Sequence, residues 1–419
     1  MTLPRWIRTA TGVALLALAA PGGAQILPPL PPVGPVIDRA TDSLPVASAL
    51  RGAQALARVP IDRARDLVRQ HPDRIALDPD GNAVRAHELI VMDADPALIG
   101  AAARQGFALI EQVRLDELGI GYARFRTPAG ASLKRALKRM RGIAGDRDVS
   151  TDPLHFASGA TGAATVPAIT APAPGGTGTG GAIGIIDGGV APTTPGLTAQ
   201  KGFAAGGIRA HDHAAAIASI LSGGAGVRAS APGARLYVAD VYGGDPAGGN
   251  ASAIGLALAW LTRERVPVVV VSLVGPPNPL LGRIVAAARR TGTVVVAAVG
   301  NDGPAAPPAY PASYPQVIAV TGVDARGRAL IEAGRATRLD YAAPGADLVA
   351  SDARGQPRTV RGTSFAAPFV AARLSAHLGG GIDAALRDLD GEARDLGRRG
   401  RDPAFGRGLI CGDCATRPR

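Results

Sequence analysis

Aromatic residues are scarce in this sequence. They make up 4% of the chain, whereas 47% of its 419 residues are hydrophobic. The core must therefore be built from Ala, Val, Leu and Ile, because few large rings are present to fill it. The length is sufficient for one large domain and a smaller one.

Lysine is almost absent. Of the 45 basic residues only Lys134, Lys138 and Lys201 are lysines, so nearly all the positive charge is carried by arginine. The arginines are spread along the chain and form no basic stripe with interleaved aromatics, the pattern of nucleic-acid-binding surfaces. We interpret the net charge of +11 as biased residue usage and expect no nucleic-acid partner. The alternative is a basic protein that binds acidic surfaces or nucleic acid.

Long apolar runs are also lacking. The run Val13–Ala20 is too short to span a bilayer, and no later run is long and apolar enough to do so. Arg5 and Arg8 precede this run and the small residues Gly22–Ala24 follow it, which is the pattern of a secretory signal over residues 1–24. We expect an exported protein, periplasmic or secreted, with no other membrane contact. An uncleaved membrane anchor is the alternative.

The chain has two cysteines, Cys411 and Cys414, spaced Cys-x-x-Cys at the start of a short tail, residues 411–419. In an oxidising compartment this spacing favours a local structural disulfide. The alternatives are a redox motif, which belongs at a strand-to-helix junction, and a zinc site, which needs two more ligands.

Two patterns divide the first part of the chain. Residues 25–61 are rich in Pro and predict an extended linker. Residues 62–156 predict a compact unit whose elements from Glu88 onward follow the order strand, helix, strand, strand, helix, strand, as in a ferredoxin-like module. The predicted helices span 62–70, 96–104 and 132–143, and the predicted strands span 75–77, 83–92, 107–113, 122–125 and 149–156, with a hairpin turn at 79–82. The unit contains three histidines that we expect in turns or at the surface: His71, His87 and His155.

Residues 157–181 consist mostly of Gly, Ala, Thr and Pro, a composition typical of a flexible, protease-accessible linker. Between residues 182 and 410, apolar β-branched runs alternate with helical patterns. This alternation predicts an α/β domain with a parallel sheet covered by helices on both faces. The predicted strands span 182–186, 236–241, 268–273, 294–299 and 317–323, and the predicted helices span 214–221, 253–265, 279–291 and 364–378.

Polar side chains follow several of these elements, where parallel sheets carry their reactive groups. Asp187 ends the first strand and is well placed to orient a histidine. His213 begins the next helix, and imidazole suits proton transfer near neutral pH. Taken singly, Asp187 could equally form a turn before Gly188-Gly189, and His213 could be a surface loop residue.

Two more polar residues complete the set. Asn301 follows the strand 294–299, and its amide can donate a hydrogen bond to an oxyanion. Ser364 follows Gly362 at the start of a helix, where a nucleophilic hydroxyl benefits from unpaired backbone N–H groups. The alternatives are an Asn-Asp-Gly turn at Asn301 and a helix cap formed by Thr363 or Ser364.

Together these features resemble the subtilisin-like serine proteases, the subtilases of peptidase family S8. The most specific match is Gly362–Pro368, and the order Asp, His, Ser is that of subtilisin. Further landmarks of the family are matched by residues 231–234, 310–312, 317–320, 342–345, 393–397 and 405–408. The resemblance implies a serine endopeptidase that hydrolyses peptides or proteins through an acyl-enzyme.

The resemblance also implies roles for single residues. Asp187, His213 and Ser364 correspond to the catalytic triad and Asn301 to the oxyanion donor. The segment that lines the cleft and pairs with the substrate backbone corresponds to Ser272, Leu273, Val274 and Gly275.

Two positions depart from the family pattern. His213 is followed by Ala214-Ala215 instead of Gly-Thr, and His211 is a rival two residues upstream. Register favours His213, because Ile217–Ser219 then occupy the apolar, Ala and small positions of the family. Val274 stands where the family often has Gly and can narrow the cleft. Because of the missing Gly-Thr, a non-catalytic, peptide-binding relative is the alternative to an enzyme.

In subtilases an N-terminal prodomain commonly assists folding and then inhibits by leaving its C-terminal end in the cleft. The resemblance therefore implies that residues 62–156 are such a prodomain of an autoprocessed zymogen, with the maturation site in the linker 157–181. Many subtilases also bind structural Ca²⁺. The loop 223–231 has no carboxylate or side-chain amide and does not support a calcium site. No metal or other cofactor is identifiable.

Overall fold

The structure is a computed structural model that describes residues 61–158, 160–165 and 180–418, with residues 160–165 described by their backbone alone. The predicted signal segment, the predicted linker up to residue 60 and residues 166–179 lie outside the described residues. Within the described part of the chain, none of the helices is long and apolar enough to cross a membrane.

The N-terminal module, residues 61–152, contains the predicted ferredoxin-like arrangement. Its elements are α1 (61–70), β1 (Ile75–Leu77), β2 (Ala83–Arg85), β3 (Glu88–Met92), α2 (Pro96–Arg104), β4 (Ala108–Leu115), β5 (Ile120–Arg126), α3 (Leu133–Ala144) and β6 (Val149–Ser150). Strands β3 to β6 form an antiparallel sheet of order β4-β5-β3-β6. The side chains of Asp95 and Ser132 accept hydrogen bonds from backbone N–H groups in the first turns of α2 and α3, which explains where these helices begin.

The predicted strand 83–92 is wrong, because two separate strands occupy it. β2 pairs with β1 in the predicted hairpin, whereas β3 belongs to the four-stranded sheet. His87 lies between them with a φ of 59°, a left-handed conformation that turns the chain from one sheet to the other.

The C-terminal domain, residues 180–418, is an α/β domain. Its elements are β9 (Ala182–Asp187), β10 (Leu197–Gly202), α4 (Asp212–Ser222), β11 (Arg235–Asp240), α5 (Ala251–Arg263), β12 (Val268–Val271), β13 (Leu273–Val274), α6 (Pro279–Arg290), β14 (Val294–Ala298), β15 (Ile318–Val323), β16 (Tyr341–Pro344), β17 (Leu348–Ser351), β18 (Pro357–Arg361), α7 (Ala367–Ala376) and α8 (Ile382–Glu392). Seven strands form one parallel sheet of order β10-β11-β9-β12-β14-β15-β16.

The sheet is covered on both faces, as the sequence predicted. Every residue of β12 and β14 is buried, which explains why these strands are runs of Val and Ala without alternation. One core contains side chains of α4, α7 and α8, and the other contains side chains of α5 and α6. The sheet therefore separates two hydrophobic layers and exposes its carboxyl edge to the site described below.

Two predicted boundaries are corrected. The predicted strand 268–273 is interrupted at Ser272, because the chain leaves the parallel sheet there and continues as β13. The predicted helix 364–378 begins only at Ala367, with Pro368 in its first turn, where no backbone N–H is needed.

Sequence reasoning missed five elements of the C-terminal domain: β10, β16, β17, β18 and α8. β10 is a polar edge strand and lacks the apolar signal on which the prediction rested. β17 and β18 pair outside the main sheet.

Cys411 and Cys414 form a disulfide, which confirms the predicted local bridge.

Candidate active site

Asp187 and His213 meet at the carboxyl edge of the sheet. Asp187 is the last residue of β9 and is fully buried, and His213 is the second residue of α4. Asp187 Oδ2 lies 2.8 Å from His213 Nδ1, and Asp187 Oδ1 accepts a hydrogen bond from the Gly188 N–H at 2.8 Å. A carboxylate in this position favours the tautomer with a proton on Nδ1, which leaves Nε2 able to accept one.

His211 occupies a different position from His213. It caps the N-terminus of α4, where its Nδ1 accepts a hydrogen bond from the His213 N–H at 3.3 Å. Its exposed ring stacks on Tyr242, with the ring centroids 6.3 Å apart. The buried carboxylate of Asp187 therefore bonds to His213 and not to His211.

Ser364 lies in a single 3₁₀ turn, Thr363–Phe365, between β18 and α7. Gly362 precedes it with a φ of 142°, a conformation that a residue with a side chain rarely adopts. None of the described side chains caps the N-terminus of α7, so the alternative of a capping Thr363 or Ser364 is wrong. The Ser364 backbone is instead held by the Ser272 hydroxyl, which donates to the Ser364 carbonyl oxygen at 2.9 Å.

The Ser364 hydroxyl has two partners among the described residues. It lies 2.7 Å from Ser158 Oγ and donates to the Ser272 carbonyl oxygen at 3.3 Å. His213 Nε2 is buried and has no hydrogen-bond partner among the described atoms. The His213 ring lies against Phe365, the residue after Ser364, with the centroids 5.4 Å apart. The His213 ring therefore lies beside the turn that carries Ser364, and the Ser364 hydroxyl is bonded to Ser158. Nothing in the local sequence signals the contact with Ser158.

Asn301 is tied to the turn that carries Ser364. It follows β14 and Gly300, whose φ is 88°. Asn301 Oδ1 accepts a hydrogen bond from the Thr363 N–H at 3.0 Å, and Thr363 Oγ1 donates to the Gly300 carbonyl oxygen at 3.1 Å. Asn301 Nδ2 is buried without a hydrogen-bond partner in the described part of the chain. The amide is therefore fixed by its oxygen, and its N–H groups are free to bind an oxyanion.

The segment 153–158, which we call the cleft segment, lies along the predicted substrate-binding residues. Its strand β7 (Phe156–Ala157) pairs antiparallel with β13, Phe156 opposite Val274 and Ala157 opposite Leu273. The Ser158 N–H donates to the Ser272 carbonyl oxygen at 3.2 Å. Ser272, Leu273 and Val274 thus bind an extended strand of this same chain as an added strand.

The cleft segment also forms hydrogen bonds with Gly249 and Tyr242. The His155 N–H donates to the Gly249 carbonyl oxygen at 2.7 Å, and the Tyr242 hydroxyl donates to the His155 carbonyl oxygen at 2.9 Å. A Cβ added to Gly275 would lie 2.7 Å from the His155 ring, so Gly275 permits this close approach.

Beyond Ser158 the chain forms β8 (Ala160–Thr165), which pairs antiparallel with β18. β18 leads directly into Gly362 and the turn of Ser364. The described strands β7 and β8 therefore lie on either side of Ser158. They also fall at the start of the predicted flexible linker 157–181.

The N-terminal module is hydrogen-bonded both to the cleft segment and to the first turns of two helices of the protease domain. The Leu154 N–H donates to the Ala83 carbonyl oxygen of β2 at 2.9 Å. Asp152 accepts hydrogen bonds from the Ser252 N–H at 2.9 Å and the Ser252 hydroxyl at 2.6 Å, in the first turn of α5. Burial raises the pKa of Asp152, although these hydrogen bonds favour its ionised form. At the next helix, the Asn278 side chain donates to the Thr151 carbonyl oxygen at 3.1 Å.

His155 contradicts the expectation for the histidines of the module. Its side chain is fully buried, and no described atom bonds to its Nε2. Burial lowers the pKa of His155 to about 4, despite the hydrogen bond of its Nδ1 with the Pro153 carbonyl oxygen. The ring is therefore neutral at pH 7.

No cluster of three or more His, Cys, Asp or Glu side chains that could hold a metal ion occurs among the described residues.

Comparison with known proteins identifies the family. The family model described as the subtilase family matches residues 178–378. Subtilisin BL of Lederbergia lenta is 32% identical over 204 residues, which cover 46% of this chain and 75% of that protein. The chain belongs to the subtilase family. This subtilase is also 30% identical over 203 residues to the minor extracellular protease Epr of Bacillus subtilis, a match covering 47% of the chain and 31% of that protein.

A solved structure agrees with the fold of this subtilase. Fervidolysin from Fervidobacterium pennivorans, described as a keratinolytic enzyme related to subtilisin, superposes with a TM-score of 0.67 at 17% identity. The match covers 82% of this chain and 63% of fervidolysin, so the chain spans less than two thirds of that protein. Family membership makes this subtilase a serine endopeptidase.

Proposed function

We propose that this subtilase is an exported endopeptidase that acts through Asp187, His213 and Ser364 and is made as an inhibited zymogen. The observation that carries the proposal is the hydrogen-bonded Asp187–His213 pair, whose ring packs on Phe365 next to Ser364, together with the binding of Ser364 to a strand of its own chain. An extended peptide laid along β13 up to the nucleophile has the arrangement that a peptide substrate requires.

The chemistry follows from the three side chains. Ser364 Oγ attacks the peptide carbonyl carbon, and its proton passes to His213 Nε2, which is unpaired in the part of the structure described. Asp187 keeps the imidazole oriented and stabilises the positive charge that it gains. The proton then goes to the leaving amine, and water hydrolyses the resulting ester.

The oxyanion that forms during this attack needs donors that are already in place. Asn301 offers Nδ2, because its Oδ1 is fixed by the Thr363 N–H. The Ser364 backbone N–H is the second donor that we propose, by its position in the 3₁₀ turn.

The N-terminal module, together with the cleft segment, acts as the inhibitory prodomain in this proposal. It delivers residues 153–158 to the cleft and is anchored at the N-termini of α5 and α6. While the Ser158 hydroxyl occupies the hydrogen-bonding position beside Ser364, no other peptide can bind there. Cleavage within residues 157–181 then separates the module from the protease.

Export is supported by the signal pattern of residues 1–24 and by the similarity to an extracellular protease of Bacillus subtilis. Intact-mass analysis of protein from the growth medium and the periplasm tests it. An uncleaved chain that stays inside the cell would contradict export without bearing on the catalytic residues.

The Ser364→Ala variant tests the catalytic proposal. We expect a folded, exported chain that hydrolyses no peptide, is not labelled by a serine-directed phosphonate and keeps its N-terminal module attached. Ser222→Ala is the matched control, since among the described residues the Ser222 hydroxyl bonds to the Ala218 carbonyl oxygen of its own helix. If Ser364→Ala still hydrolyses peptides, or if the mature wild type resists labelling, the proposal is wrong.

A further inference from the structure

Ser158 is the residue of the cleft segment that reaches the nucleophile. Its N–H donates to the Ser272 carbonyl oxygen at 3.2 Å, and its hydroxyl lies 2.7 Å from Ser364 Oγ. Residue 157 precedes this contact and β8 begins at residue 160, already beyond it. Of the described residues in this strand, Ser158 is the one whose side chain contacts Ser364, which places Ser158 beside the proposed nucleophile.

The space beside the Ser158 side chain is limited by Val274. The register of β7 and β13 places Ser158 opposite Ser272 and diagonal to Val274 on the same face of the pair. Val274 is only 6% exposed, and a Cβ added to Gly300 would lie 3.2 Å from its Cγ1. The Val274 side chain therefore lies between its own strand and the backbone of Gly300.

Ser158 fits the space that remains. It is 5% exposed, so a serine side chain already leaves little room at this point. A longer or aromatic side chain here would meet the Val274 methyl groups or push the strand away from β13. Small side chains can keep both the backbone pairing and the contact with Ser364.

We propose that the maturation bond joins Ser158 to Gly159, and that Val274 restricts the enzyme to peptides with a small residue before the scissile bond. The inference rests on the proposed catalytic function. Ser364 Oγ bonds to the Ser158 carbonyl carbon, and the proton that His213 accepts passes to the Gly159 nitrogen as the carbon–nitrogen bond breaks. Water hydrolyses the ester, which restores Ser364 and leaves Ser158 with a free carboxylate.

The first test locates the bond. Full-length chain is allowed to mature, and the released N-terminal fragment is measured by intact mass at early times, before secondary trimming. The fragment is expected to end at Ser158. A fragment that ends at any other residue overturns the assignment of the bond.

The second test measures selectivity. Mature enzyme is assayed with peptides that present Phe-Ala-Xaa before the scissile bond, where Xaa is Ala, Ser, Leu or Phe. We expect kcat/KM for Ala and Ser to exceed that for Phe by at least about tenfold, the scale on which pocket size discriminates side chains. In Val274→Gly the ratio of kcat/KM for Phe to that for Ala should rise at least about tenfold, with Val274→Ala in between.

A paired substitution links the two tests. Ser158→Phe should slow maturation, and Val274→Gly in the same chain should restore it. Val285→Ala is the control, because this buried valine lies on α6. A wild type that prefers Phe, or a Val274→Gly variant with unchanged selectivity, overturns the role of Val274. An enzyme without any hydrolysis or phosphonate labelling would instead mean that the proposed catalytic function has failed.

Discussion

At the scale of the residue, the oxygen and the nitrogen of the Asn301 side-chain amide differ in their hydrogen bonding. Its oxygen holds the turn of Ser364, and its nitrogen has no partner among the described residues. We expect Asn301→Ala to lower kcat by about 10²–10³ with little change in KM, because the lost donor acts on charge that exists only in the transition state. Steady-state kinetics on a small peptide measures both constants.

The control for this prediction is Gln356→Ala, which removes a side-chain amide from an exposed turn of the same domain. It should leave kcat unchanged. An Asn301→Ala variant with normal kcat, or one that loses only affinity for substrate, would contradict the role of Asn301 as an oxyanion donor.

His155 gives the chain a pH dependence with a definite sign. Its pKa is about 4 in the folded chain, below the usual value of 6.5, because it is buried. Between pH 6.5 and about 4 the unfolded chain binds a proton that the folded chain does not, so folded stability falls as the pH falls. The loss approaches an upper limit of about 3 kcal/mol at the acid end.

Melting temperatures of the Ser364→Ala chain between pH 7.5 and 4.5 test this prediction. Adding His155→Leu should reduce the loss of stability on acidification, whereas adding His71→Leu, at a half-buried histidine of the same module, should not. Equal pH dependence in all three chains would show that His155 does not contribute.

At the scale of the element, the N-terminus of α5 is a docking point for the N-terminal module. Asp152 accepts two hydrogen bonds from Ser252, in the first turn of the helix, and its side chain is completely buried. We expect Asp152→Ala to weaken docking by about 1–3 kcal/mol, because the Ser252 N–H and hydroxyl would lose their partner. Limited proteolysis of the Ser364→Ala chain with an added protease should release the module faster.

Asp146→Ala is the control for this prediction, because Asp146 is exposed near the end of the same module. It should leave the rate of release unchanged. Equal rates in Asp152→Ala and the parent chain would mean that the contact at α5 contributes little to docking.

At the scale of the whole molecule, the N-terminal module packs on a protease domain whose central sheet is built from non-local strand pairs. The parallel sheet joins strands that are distant in sequence, such as β9 and β12, and non-local pairing of this kind folds slowly. The module packs against α5 and α6, which cover one face of that sheet. We expect deletion of residues 61–152 to lower the yield of active enzyme strongly.

Supplying residues 61–158 as a separate chain should restore part of that yield, since binding to the folded state stabilises it. Active-site titration with the phosphonate measures the yield. The same separate chain carrying Asp152→Ala should restore less. A deletion variant that folds to full activity by itself would contradict a folding role for the module.

Much of the fold could be predicted from local pattern. The Val-rich strands β12 and β14 are buried on both faces, so their residue types alone indicate a covered parallel sheet. The hairpin β1–β2 was predicted from its turn residues, and Gly81 in that turn has a φ of 84°. β10 and β18 were missed because their positions are set by pairing with partners and not by apolar periodicity.

The sequence by itself determined which residue types stand at the ends of the sheet strands, and the register around His213 pointed to one of two histidines. Only the tertiary structure decided that Ser158 occupies the site beside Ser364 and that His155 is buried. The physical reason is distance along the chain. A motif specifies residues within one turn or strand, whereas Ser158 and Ser364 are 206 residues apart in the sequence. Their contact accompanies the docking of the N-terminal module on α5 and α6 and the pairing of β7 with β13.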